Sequence, residues 1–287
     1  MKRSDFRFLE PLRVRWAEVD RQGVVFNGHY LMYADTAIAG YWRAMALPYE
    51  ATLAALEGDL FVRKTTLDYL APARYDELLK VGIRFDGAGT SSLRFAVGVF
   101  RDDEVLVHGE LVYVWTDAAT KTPRPVPERF IAALHAQEAG EPAVVVQVGD
   151  WTALAAEAQP LRTIVFVDEQ KVPVTLERDA ADATAVHAVA RNRAGIAIGT
   201  GRLLGPESLG GAVRIGRLAV RRDLRGAHIG RRVLDALMAA ARDRGDAEVS
   251  LHAQVSAINF YRRAGFEPHG EPFEEAGISH WEMRRRL

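Results

Sequence analysis

Two stretches of the 287-residue chain concentrate side chains able to do chemistry. The first, VRWAEVDRQGVVFNGHYLMYADTA (14–37), sets Asp20 at the end of a strand-like segment, turns at Gly23 and enters an apolar helix near Gly28. A carboxylate can attack a carbonyl or activate water without the help that Ser or Cys needs. Spacing alone makes Asp20 a solvated loop acid, because it precedes the helix by too many residues to cap it simply. Asn27 and His29 read first as a turn residue and a structural one. Asp35, near Tyr33 on the helix, either lines a pocket or satisfies a buried polar network. The second stretch, RIGRLAVRRDLRGAHIG (214–230), crowds Arg217, Arg221, Arg222 and Arg225 around Asp223, with Arg231 and Arg232 just beyond. A charge run is usually a solvated face. Here it coincides with a Gly-containing loop feeding a helix, where free N–H groups and the helix dipole favour phosphate.

Composition narrows the chemistry. The chain has 37 Lys+Arg, 38 Asp+Glu, eight His and no Cys. Disulfides, thiolate metal sites and a Cys nucleophile are therefore excluded. The His residues are scattered without an HExxH or i,i+4 pair, so no metal is expected. A near-neutral balance argues against a nucleic-acid or membrane-surface binder. No apolar run approaches the length of a membrane span, and the basic start MKRSDFRFLEPLRVRW lacks a signal-peptide core, so the expected location is the cytoplasm.

The elements that must position these residues fall into two blocks. Residues 29–47 predict a helix apolar on nearly every side, and hence buried all round. Segments near 61–70, 78–86, 92–100 and 105–116 predict strands. Leu79, Val81, Ile83 and Phe85 alternate with period two, as do Leu93, Phe95, Val97 and Val99. One helix wrapped by a mostly antiparallel sheet is the simplest packing. A Pro-rich crossover (TKTPRPVPERF), a short helix at 128–137 and an AGEP linker follow. The second block alternates helices (152–158, 228–244, 256–264) with strands (184–191, 195–204, 213–220, 247–253, 279–285). In 228–244, Ile229, Val233, Leu237 and Ala241 form one apolar stripe, joined by Leu234 and Met238.

The order of Asp20, Gly23, Val24, Val25, Asn27 and Tyr30, followed by YLAPARY (69–75) and Asp76-Glu77-Leu78, resembles the 4-hydroxybenzoyl-CoA thioesterase family of the hotdog fold over about residues 10–130. The resemblance implies that Asp20 attacks a thioester or activates water for attack. It implies also that the backbone N–H of Asn27 points at the thioester carbonyl. Fixed N–H donors at a helix N-terminus would stabilise the developing oxyanion. An active site at a subunit interface is implied as well, hence a homo-oligomer (dimer or tetramer) through this domain. The exposed sheet edges give it a physical motive.

Arg225-Gly226-Ala227-His228-Ile229-Gly230, taken with INFYRRAGF (258–266), resembles the GNAT superfamily of N-acetyltransferases. Its loop runs R/Q-x-x-G-x-G/A, and His228 stands where the first Gly is usual. VFVDEQKVP (165–173), LERDAADATAVH (176–187), LHAQ (251–254) and FEEAGISH (273–280) narrow the likeness to the ElaA-type branch over about 143–287. The resemblance implies pantetheine pairing along Leu218, Ala219 and Val220, and phosphate binding by residues 225–230 with Arg231. It places Asn259 and Tyr261 near the cofactor sulfur, Tyr261 protonating the departing CoA thiolate. His187, His252, His280 and Glu177 all remain candidates for the acceptor of the amine's proton.

The expectation is thus an α+β protein: a hotdog thioesterase domain (1–138) followed by a GNAT domain (143–287) with a mixed central sheet. Both halves would act on acetyl-CoA or acyl-CoA, the second passing its acyl group to an unidentified amine. The alternative keeps one domain catalytic and makes the other an acyl-CoA sensor or dimerisation module.

Overall fold

The computed structural model describes residues 1–206 and 213–287. The chain divides into two compact units, Met1–Ala143 with Arg193–Ile196, and Val144–Asn192 with Ala197–Leu287.

In the first unit, strand β1 (Phe8–Arg13) precedes helix α1 (His29–Ala44), short helix α2 (Tyr49–Ala55) and strands β2 (Gly58–Tyr69), β3 (Leu78–Ala88), β4 (Ser92–Arg101) and β5 (Glu104–Asp117); helix α3 (Glu128–Ala139) closes it. The strands form one antiparallel sheet in the order β1-β3-β4-β5-β2. Alternation decides which side of the sheet α1 covers. Leu93, Phe95, Val97 and Val99 are buried beneath it, and Phe95 meets the rings of Tyr41 and Trp42 edge-on. The other face of β4 carries Ala96 and Phe100, which pack against Phe6.

Helix α1 is not buried all round. Tyr30, Tyr33, Ala37, Ile38, Tyr41 and Trp42 face the core, whereas Leu31 and Met32 are 46% and 52% exposed and Asp35, Thr36 and Ala39 lie on the same open side. A helix on one face of an open sheet has one side covered, and among the described residues the other side stays exposed. Helix α2 was not expected from the sequence; its seven residues are too few for a periodic pattern to stand out.

The second unit contains β6 (Val144–Gly149), α4 (Trp151–Arg162), a one-turn α5 (Val174–Glu177), β7 (Val186–Asn192), β8 (Ala197–Leu204), β9 (Arg214–Val220), α6 (Ile229–Arg244), β10 (Glu248–Gln254), α7 (Ile258–Arg263), β11 (Glu267–Glu275) and β12 (Ile278–Arg286). Its sheet runs β11-β12-β10-β9-β8-β7-β6 and is antiparallel except where β9 meets β10. Val189 packs against Leu154 and Ala158 of α4, while Ala190 and Gly199 lie beside Ile229 of α6. Adjacent strand residues point to opposite faces, so α4 and α6 cover the two sides of the sheet. The stripe of α6 is buried as its periodicity predicts, and Gly245 ends the helix in a left-handed turn. Beyond Pro160, helix α4 loosens into a π-helical turn over Thr163–Glu169. Strands β6 and β11 were not foreseen. Both are edge strands with mostly solvated side chains, so neither shows the alternation that marks a half-buried strand.

Gly109 on β5 shows how closely the first sheet is fitted. A Cβ there would run into the backbone carbonyl of Thr66 on β2. Gly109→Ala should destabilise the protein by roughly 1–3 kcal/mol, the usual cost of overpacking. A thermal melt showing an unchanged midpoint would mean that β5 gives way freely.

Candidate active sites

The first site is built by the loop between β1 and α1. Asp20 closes a tight turn: its N–H donates to Val24 O (2.9 Å), Gly23 N–H donates to Asp20 O (3.0 Å), and its Oδ1 accepts from Gln22 N–H (2.7 Å). Gly23 has φ +74°, a left-handed conformation that glycine adopts without strain. The loop is tied down on both flanks. Val25 N–H donates to Ala73 O, and Phe26 N–H donates to Glu18 O, each at 2.9 Å.

Glu18 is the positioning residue that sequence reasoning missed. It is 3% exposed and accepts from Arg15 N–H (2.7 Å), Arg15 Nε (2.6 Å) and Tyr33 Oη (2.7 Å). Burial opposes its ionisation, but these donors outweigh that and hold its carboxyl below the ordinary range. The signal was the i,i+3 spacing of Arg15 and Glu18. Tyr33 therefore serves this latch. Asp35 is exposed and contributes neither to the cavity nor to a buried network.

Asp20 and Asn27 line one cavity of about 450 Å³, with Tyr30, Tyr69 and the segment Leu70–Pro72 forming other walls. Tyr30 Oη accepts from Ala73 N–H (2.9 Å), and Tyr69 Oη donates to Asn27 O (3.2 Å), which orients the Asn27 peptide. The N–H of Asn27 donates to no acceptor among the described residues. A carboxylate and an unpaired amide thus border the same space. His29 instead contacts Met32 Sδ through Nδ1 (3.4 Å).

The second site opens where β9 leaves β10. The two pair only at Ser250–Arg214 and Leu251–Ile215. On its other side β9 slips register against β8 between Thr200 and Arg202, and Arg217 takes φ +52°. Beyond the paired residues lies a cavity of about 470 Å³, bordered by Ile215–Leu218 of β9, His252 and Gln254 of β10, and Glu275 of β11. A groove of about 600 Å³ runs from Leu218 and Val220 along residues 224–226 and 228–231 to Phe260 and Tyr261. Leu218, Ala257 and Tyr261 border both spaces, so cavity and groove meet at the phenol. Tyr261 Oη has no protein partner among the described residues, and burial pushes its pKa up, so it keeps its proton.

The other expected groove residues divide. Gly226, His228, Ile229 and Gly230 line it, and the N–H groups of Gly226 and His228 donate to no acceptor among the described residues. His228 has φ +59°, which explains the Gly usual at that position: the backbone must turn left-handed to start α6. Arg225 lines the groove with its guanidinium paired to Glu169 (2.6 and 2.7 Å). Arg231 binds Asp235 (2.8 Å). Ala219 points away from the groove into the packing of Leu161 and Val165, as alternation along β9 requires. Ala227 and Asn259 are exposed and do not line it.

Of the four candidate proton acceptors, burial removes two. Glu177 is 1% exposed and bound by Arg162 Nε, and His187 Nε2 donates to Asp182 O (2.9 Å) beneath Trp151. Both belong to a network in which Arg162, Arg202 and Arg217 are balanced by Glu177, Asp179 and Asp182. His280 lines the cavity, with Nδ1 bound to Ile278 O (2.8 Å) and its ring stacked on Phe273. His252 also lines it, with Nδ1 2.7 Å from Glu275 Oε2. Among the described residues no cluster of three or more His, Asp or Glu is placed to hold a metal, and no helix is long and apolar enough to cross a membrane.

The buried network makes unit two acid-sensitive. Burial raises the Asp182 pKa, but hydrogen bonds from Arg162 and Arg202 dominate and hold it below its ordinary 3.8. The unfolded chain therefore takes up this proton first as pH falls. Stability from Asp182 is present above about pH 4 and is lost as pH drops through the folded value. Arg162→Met, which strands Glu177 and leaves Asp182 to Arg202 alone, should cost roughly 3–5 kcal/mol at neutral pH in denaturant unfolding. A cost under about 1 kcal/mol would show the network to be dispensable.

Comparison with known proteins matches both units. Residues 22–108 match the family described as "Thioesterase superfamily", and residues 155–287 the family described as "Acetyltransferase (GNAT) domain". The acyl-CoA thioester hydrolase YbgC of Escherichia coli is 28% identical over 126 residues, covering 44% of this chain and 93% of that protein. The uncharacterized N-acetyltransferase YjcF of Bacillus subtilis is 32% identical over 126 residues, covering 44% of this chain and 87% of that protein. A solved acyl-CoA N-acyltransferase from Pseudomonas aeruginosa is 33% identical, covering 50% of this chain and 99% of that one, with TM-score 0.45.

Proposed function

Since residues 22–108 belong to the thioesterase superfamily and residues 155–287 to the GNAT acetyltransferases, we propose a two-site enzyme of acyl-CoA chemistry. The first unit hydrolyses an acyl-CoA thioester, and the second transfers an acetyl or acyl group from CoA to an amine. The observation that carries this reading is that each unit sets its reactive side chain on a cavity beside unpaired backbone N–H groups.

In the first unit Asp20 attacks the thioester carbonyl or draws a proton from the attacking water. The Asn27 N–H donates to the carbonyl oxygen and stabilises the charge that builds on it. The division between domains falls at about residues 138–143. The apolar side of α1 (Leu31, Met32) and edge strand β2 (Phe61, Val62) are exposed, which supports a working form of at least two copies. Soluble acyl-CoA as substrate of both sites favours the cytoplasm.

In the second unit the diphosphate of acyl-CoA lies at the start of α6, where free N–H groups and the helix dipole favour an anion. The thioester reaches the junction at Tyr261, the amine arrives from the cavity, and Tyr261 gives its proton to the departing thiolate.

The test is free-CoA release from a panel of acyl-CoAs, with and without an amine panel. Asp20→Asn should abolish amine-independent release and leave the amine-dependent rate. Tyr261→Phe should lower the amine-dependent rate by roughly 100-fold or more and leave the other. Neither rate changing would refute both assignments. If one activity is absent from the native chain, that unit is a sensor or dimerisation module.

A further inference from the structure

The acceptor cavity carries a charge pattern that names its ligand. Two of its arginines, Arg202 and Arg217, are paired with carboxylate or carbonyl oxygens of the balanced network described above. Setting that network aside leaves Arg214 on β9 and Glu275 on β11, with His252 of β10 between them. Arg214 Nη1 lies 3.1 Å from His252 Nε2, and His252 Nδ1 lies 2.7 Å from Glu275 Oε2. A guanidinium only donates, so Nε2 must accept and Nδ1 must carry the proton that it donates to Glu275. Nδ1 thus faces the carboxylate, and Nε2, the nitrogen turned to the cavity, is capped by the Arg214 cation. Phe273 holds the ring edge-on at 4.8 Å.

Arg214 is the unusual member. Among the described residues it pairs with no carboxylate, and its cation rests on a neutral nitrogen. A carboxylate brings an opposite charge and can take two guanidinium N–H groups at once, which a single imidazole nitrogen cannot. A ligand carboxylate entering the cavity would therefore draw Arg214 from His252 and uncover Nε2 where the amine must lose its proton.

We propose that the acceptor is an amine that also bears a carboxylate, with Arg214 as its carboxylate anchor, His252 as the general base and Glu275 as the positioning residue behind it. The proposal rests on the acyltransferase reading of this unit. The acceptor ammonium gives one proton to His252 Nε2, and the freed amine attacks the acyl carbon. The C–N bond forms and the C–S bond breaks. Tyr261 protonates the thiolate, and the second proton lost by the nitrogen restores Tyr261 through solvent. His252 then releases its proton to solvent, so the products are amide, free CoA and one proton.

Matched pairs test this: phenylalanine with phenethylamine, methionine with 3-(methylthio)propylamine, and β-alanine with ethylamine, each with acetyl-CoA. For the native chain the carboxylate-bearing member of at least one pair should have kcat/KM tenfold or more above its partner. Arg214→Met should erase that preference through KM, and Arg214→Lys should restore part of it. His252→Asn should lower kcat tenfold or more for every acceptor used. Glu275→Gln should move the His252 Nδ1 proton resonance upfield, a change that loss of packing alone would not produce. Equal rates within every pair, or an unchanged kcat in His252→Asn, would overturn the proposal. If no amine is acylated, the acyltransferase reading fails separately. Thermal-shift titration with the same compounds then decides the carboxylate subsite: protection by the amino acids that Arg214→Met abolishes supports it, and no protection refutes it. Circular dichroism of each variant separates these effects from unfolding.

Discussion

A backbone N–H shut away from a carbonyl partner is costly, and folded chains pair nearly all of them. In both units, among the described residues, unpaired N–H groups border a cavity where a loop turns into a long helix. Asn27 precedes α1, and Gly226 and His228 precede α6. A helix start cannot satisfy its own first donors, so the chain must either cap them or leave them for a ligand. Neither α1 nor α6 has a side-chain cap. The remaining architecture can be understood as what holds those two loops open: the Glu18 latch and the Val25–Ala73 bond in the first unit, and the Arg225–Glu169 pair in the second.

The second unit adds a further constraint. Parallel strands β9 and β10 separate after two paired positions, and a sheet that parts must line the gap with something other than its own ladder. The balanced arginine–carboxylate network does so on one wall, with Arg162 almost completely buried beneath Trp151. Breaking such a network strands a buried charge, so its members are held in place. It also absorbs Glu177 and His187 and leaves the Arg214–His252–Glu275 chain open to the cavity, beside His280 and Tyr261.

Much of the fold was legible because long amphipathic patterns report burial directly. The stripe of α6 and the alternation of β3 and β4 are where periodicity put them. Helix α1 misled for a physical reason: Leu31, Met32 and Ala39 are apolar yet face outward, and composition cannot tell a core from an uncovered face. Strands β6 and β11 were invisible because edge strands lack a buried side. At the sites, Asp20, Asn27 and Tyr261 stood out through motif order. Glu18 and Glu275 did not, since their roles depend on partners 15 and 23 positions away. Asn259 and Ala219 lie in the right segments, but their side chains point away from the groove.

The order of residues along the chain by itself determined the two kinds of unit, the loop-to-helix junctions and the absence of any cysteine chemistry, because motifs, periodicity and composition are local properties. Tertiary structure alone decided which of several histidines and carboxylates stays exposed to a cavity. That choice follows from packing: in the second unit a buried acid or imidazole takes the nearest partner, and side chains left at the parting of β9 and β10 remain free to act on a ligand.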